Sequence, residues 1–127
     1  MQENHLFEYA VIRVVPRVER EEFLNVGVIL HCRDQHFLQS ICTPDEQKIR
    51  SFCSSIDIEA LKTYLQSFDK ICKGGKEAGP IGELDRTSRF RWLTAMRSSI
   101  IQTSGVHIGL CKNAGETLTR LHKELVL

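Results

Sequence analysis

Three arginines and the only tryptophan of the chain fall within SRFRWLTAMRSS, residues 88–99. Arg89, Arg91 and Arg97 flank Phe90 and Trp92. Guanidinium groups beside aromatic rings suit single-stranded nucleic acid, whose phosphates they neutralise while the rings stack on its bases. Arg89, Arg91 and Trp92 are therefore the candidate face for a nucleic acid or a protein partner. The competing reading makes Phe90 and Trp92 core anchors and leaves the arginines solvated. An extended segment would then place both arginines on one face and both aromatics on the other. Lys+Arg 17 against Asp+Glu 16 leaves a net charge of only +1. Base-independent affinity comes mostly from phosphate neutralisation, so nucleic acid is the weaker reading.

A second set of polar residues interrupts apolar stretches. Arg13 lies mid-strand between valines, Asn25 and Gly27 break the next strand, and Arg97, Ser98, Ser99 and His107 surround a third strand region. If those strands join one sheet, the side chains converge on a face or an edge. Their donors suit a phosphate, a carboxylate or an acidic partner segment. In an anion- or nucleotide-binding version, Arg13, Arg97 and Ser99 hold a phosphorylated ligand and His107 is the acid/base. The structural alternative pairs Arg13 with Glu22 or Glu8 to fix strand register, and leaves Asn25 and Gly27 to a bulge.

Nucleophilic catalysis needs a cysteine or serine beside a histidine and an orienting carboxylate. Ser99 or Cys111 with His107 is the nearest approach, and no G-x-S-x-G, HExxH, P-loop or GxGxxG is present. No catalytic residue is assigned, and the balance falls against an enzyme. His31, Cys32, His36 and Cys42 are close in sequence. Adjacent strand residues point to opposite faces, however, so neither a metal nor a cofactor is expected.

A chain of 127 residues suits one domain, here 1–127, and can bury roughly two thirds of its unfolded surface. The 42% hydrophobic and 26% charged fractions are those of a globular protein. Five cysteines without a CxxC pair, and an opening unlike a signal peptide, point to reduced thiols and a cytoplasmic location. No apolar stretch is long enough to span a bilayer, so no membrane partner is expected.

These residues need elements to position them. In EYAVIRVVPR, residues 8–17, Tyr9, Val11 and Val15 share a face with Arg13, opposite Ala10, Ile12 and Val14. That fits an inner strand covered on both sides, ended by Pro16. In FLNVGVILHCR, residues 23–33, Leu24, Val26, Val28, Leu30 and Cys32 share a face, and Gly27 suggests a bulge or a close backbone approach. A polar turn leads into HFLQSIC, completing an antiparallel hairpin. Thr43 as cap, Pro44 at the first position and Glu46 at the third start a helix. Leu61, Leu65, Phe68 and Cys72 stripe a second helix, which Gly74 and Gly75 stop.

The turn-rich segment 73–87, with four glycines and one proline, reads as a mobile loop. SRFRWLTA follows as a short helix or irregular turn, and SIIQTS with VHIGL as one or two strands. Asn113 caps a last helix with Glu116 at its third position, and Leu118, Leu121 and Leu125 face inward. The class is α+β: a single-layer antiparallel or mixed sheet of about four strands covered by about three helices.

The pairing of Tyr9–Pro16 with Glu22–Leu30, then Trp92–Ser99 and Val106–Leu110, resembles the bacterial family described as domain of unknown function 3037. The family signature runs Y-x-V-[IL]-R-x-V-P, E-F-x-N-V-G-V-[IV]-L, W-L-x-A-x-R-S-[ST] and V-H-x-G-L in that order. Met96 departs from it, standing where a proline precedes the arginine. The resemblance implies no assigned activity. It does imply a partner, since genes of the family often lie beside a gene for a HipA-like kinase. The reading that follows is a small non-catalytic interaction or regulatory protein, its partner a protein such as that kinase, met through a sheet edge and an Arg/Ser/His-lined face.

Overall fold

The computed structural model describes residues 3–95, 97 and 99–127. Its organising element is β1 (His5–Val14), longer than the sequence pattern suggests because His5, Leu6 and Phe7 continue the ladder. On one side β1 pairs antiparallel with β2 (Leu24–Cys32), which pairs with β3 (Phe37–Cys42). On the other side two short strands share its edge: β4 (Ile101–Thr103) against Ile12–Val14, and β5 (His107–Cys111) against His5–Tyr9. The fold is α+β as expected, with five antiparallel strands among the described residues.

Gly27 provides both a bulge and a close approach. The β1–β2 register moves from Ile12↔Gly27 to Arg13↔Asn25, leaving Val26 unmatched. A Cβ on Gly27 would lie 2.6 Å from the carbonyl oxygen of Ile41, so only glycine lets β3 come this near. The extra residue reverses side-chain parity. Leu24 and Val26 therefore join the core on one face, while Val28, Leu30 and Cys32 join the core on the other. The expected common face for these five residues is split at the bulge.

The helices divide between the two faces. α1 (Glu46–Phe52) begins later than the Thr43 cap predicts, because the Thr43 N–H still donates to Val26 of β2. Asp45 caps instead, accepting from the Lys48 N–H at 3.2 Å. α2 (Ile58–Lys73) buries Ile58, Leu61, Leu65, Phe68 and Cys72 against Ala10, Ile12, Val14 and Ile29. Segment 73–87 winds into a 3-10 turn at Lys76–Ala78 and a short α3 (Gly79–Gly82). Asp85 then caps α4 (Arg86–Leu93). On the opposite face α5 (Ala114–Leu125), capped by Asn113, lays Leu118 and Leu121 over Phe7, Val28 and Leu30. Among the described residues no helix is long and apolar enough to cross a membrane.

Candidate functional site

β4 and β5 follow each other along one edge of β1, joined by Ser104, Gly105 and Val106. Buried Ser104 stitches the join. Its N–H donates to the Val11 carbonyl at 2.8 Å, and its Oγ accepts from the Val11 N–H at 2.9 Å. The backbone groups of Val11 thus point toward this edge. In an antiparallel ladder direction alternates residue by residue, so Phe7 and Tyr9 point the same way, into Gly109 and His107. The N–H and C=O groups of Ile108 and Leu110 must then face away from β1, where no described strand pairs with them.

The same two residues carry exposed apolar side chains. Ile108 is 67% and Leu110 65% accessible, and Leu6, the register partner of Leu110, is 57% accessible. None of the three belongs to the cluster that α2 and α4 cover. Free backbone groups beside an uncovered apolar strip make an edge able to accept another strand. Sequence reasoning missed this strip, although Ile108 and Leu110 at a spacing of two share a face of any strand.

The opposite face of this edge holds several of the polar candidates. His107 lies on β5 with its ring 5.1 Å from that of Tyr9. Phe7 covers Gly109, whose Cβ would meet the ring at 2.7 Å. Arg13 and Asn25 are register partners on this face. The Arg13 guanidinium carbon stands 3.9 Å from the centre of the Phe23 ring, a cation–π contact. Asn25 Nδ2 donates to the Leu125 carbonyl at 3.2 Å, which ties the bulge to the end of α5. Arg13 Nε and Asn25 Oδ1 are both buried without a hydrogen-bond partner among the described residues. Arg13 has no ion pair with Glu8 or Glu22. Glu8 has the other parity and meets His31 at 3.3 Å, and Glu22 pairs with Arg20.

Arg97 and Ser99 belong to the segment before β4. The Arg97 guanidinium stacks 3.9 Å over Trp92 and donates to the Trp92 carbonyl. Ser99 donates to the Ile101 carbonyl. Ser98 and Met96 lie outside the described residues. The structure thus joins Arg13 to Asn25 and sets His107 further along the same face. Among the described residues no hydrogen bond or ion pair links Arg13, Arg97, Ser99 and His107.

The Arg89, Arg91 and Trp92 trio is separated by helix geometry. A turn of 3.6 residues sends Arg89 and Phe90 inward while Arg91 and Trp92 stay exposed. Arg89 is 7% accessible and donates to three carbonyls, of Leu84 (3.0 Å), Ile71 (2.9 Å) and Cys72 (2.7 Å). Those last two close the C-terminal end of α2, where a cation also suits the helix dipole. Arg89 is a buried cap rather than part of an exposed face.

The thiols sort by environment. Burial pushes Cys42 and Cys72 up to about 12 and raises Cys111. Cys111 is thereby a poor nucleophile despite its nearness in sequence to His107. Cys53 is lowered, first by its hydrogen bond with the Ser55 side chain. All five cysteines are free.

No curated protein and no solved structure matches this chain. A family model does match, over residues 9–126, from β1 through to the end of α5. The chain accordingly belongs to the family described as protein of unknown function DUF3037.

Proposed function

We propose that this is a small non-catalytic interaction protein that takes an extended segment of a protein partner onto its β4–β5 edge. One observation carries the reading: the two residues whose backbone groups face outward, Ile108 and Leu110, also present bare apolar side chains. Strand addition gains affinity from main-chain hydrogen bonds and specificity from alternate side chains. One face of an added strand would meet Ile108 and Leu110, with Leu6 behind them on β1. The other would meet His107, while Arg13 lies one strand further in, behind β4. A partner segment that alternates apolar and polar residues fits both faces. The family's association with HipA-like kinase genes makes such a kinase the first partner to try, and the five free thiols support a reducing, cytoplasmic setting.

The test is co-purification of the chain with an intact HipA-like kinase, for the native protein and for Ile108→Lys/Leu110→Lys. Both positions are exposed, so the variant should keep its circular dichroism. A complex at micromolar concentration that the variant loses supports the reading. Absence of a complex, a complex indifferent to the substitutions, or self-association of the native chain through this edge would count against it.

A further inference from the structure

At the opposite end of β1 from β5, the connection to β2 and the end of α1 enclose a cleft of about 380 Å³. That volume suits a ligand of modest size. Three arginines line it: Arg17, at the head of the 3-10 turn Val18–Arg20; Arg20, at that turn's end; and Arg50, in the last turn of α1. Ser51, Ser54 and Ser55 add hydroxyls, and Glu22 is the one carboxylate among the lining residues. Arg20 is paired with Glu22, whereas Arg17 and Arg50 form no ion pair among the described residues.

Three guanidiniums against one carboxylate leave two positive charges facing a concavity, in a chain whose net charge is only +1. A group of matching charge carries about −2 near neutral pH and offers several acceptor oxygens, as a phosphate monoester does. Guanidinium forks and hydroxyl donors match such oxygens geometrically. A monocarboxylate would leave one of the two free arginines unanswered.

We propose that this cleft is a binding site for a phosphate monoester, held between Arg17 and Arg50 with Arg20 and the serine hydroxyls completing the contacts. The site is separate from the β5 edge and stands or falls independently of it. It also carries its own reporter. Cys53 lines the cleft with Sγ 3.4 Å from Ser55 Oγ. Its lowered thiol pKa, due first to Ser55 and in smaller part to Arg17, makes it more reactive than Cys42 and Cys72, whose thiols are raised.

The experiment measures alkylation of Cys53 by iodoacetamide, read by mass spectrometry of its peptide, at constant ionic strength. The probes are inorganic phosphate, a phosphoserine peptide and adenosine monophosphate, with chloride as control. Calorimetric titration of the same probes gives an independent affinity. The expected result is saturable protection by at least one phosphate species, with affinity about tenfold weaker for each of Arg17→Gln and Arg50→Gln. A preference for the peptide or for the nucleotide would identify the natural source of the group. Protection no greater than with chloride, or equal protection in the folded Arg17→Gln/Arg50→Gln variant, would overturn the proposal.

Discussion

Arg89 donates to three backbone carbonyls from inside α4, and Gly74 makes room for it: a Cβ there would lie 2.5 Å from Arg89 Nη1. Replacing Arg89 by alanine strands those carbonyls in a buried site, and each unsatisfied group costs about 1–3 kcal/mol. Urea denaturation of Arg89→Ala should therefore show a loss of roughly 3 kcal/mol or more. Arg89→Lys should recover little, since an ammonium lacks the planar fork that reaches all three acceptors. Exposed Arg91→Ala should stay within about 0.5 kcal/mol. A neutral result for Arg89→Ala would refute its role as a cap. The local sequence could not announce this role. Arg89 and Arg91 look alike in SRFRWL, and which of them turns inward depends on where α4 begins and on acceptors that α2 supplies.

At the level of elements, the strands and their caps were legible wherever spacing alone decides. The stripe of α2 and the Asn113 cap of α5 follow from periodicity and side-chain chemistry, and both are present. Boundaries set by long-range pairing were not legible. The Thr43 hydroxyl is spent on His122, at 2.9 Å from Nε2, and the Thr43 N–H on Val26, so helix initiation passes to Asp45. The bulge at Val26 was half legible: Gly27 signalled it, but the resulting exchange of faces needs the register with β1.

Among the caps, Asp85 allows a prediction about pH. The Ser88 backbone N–H donates to its carboxylate at 2.7 Å and holds its pKa below the ordinary 3.8. A carboxyl depressed on folding stabilises the native state fully above its unfolded pKa, and loses that contribution as pH falls through the folded value. Asp85→Ala should therefore unfold more easily than the native protein at pH 7, with the difference shrinking as the solution is acidified below 3.8. A gap that stays constant in acid would show that the carboxylate's charge is not what caps α4.

For the molecule as a whole, the sheet is a shared wall between two apolar clusters. β1 and β2 contribute to both: Ile12 and Ile29 on the α2 side, Phe7 and Leu30 on the α5 side. Neither cluster can dissolve without removing half the support of the other, so unfolding should be a single cooperative transition. Cys72 lies in the first cluster, and Cys32 and Cys111 in the second. Their thiols should become alkylatable at one common urea midpoint, and separate midpoints would mean two independent units. The α+β class could be read from the chain because it follows from local pattern. The division of one edge between β4 and β5 could not, since it is settled by strands far apart in sequence. That division also bears on synthesis. The partners of β1 at this edge emerge about 100 residues after it, on the order of 5–20 s at ribosomal speed. For that interval a nascent chain holds its longest strand with one flank bare, which makes it a client for whatever shields exposed strands as they leave the ribosome.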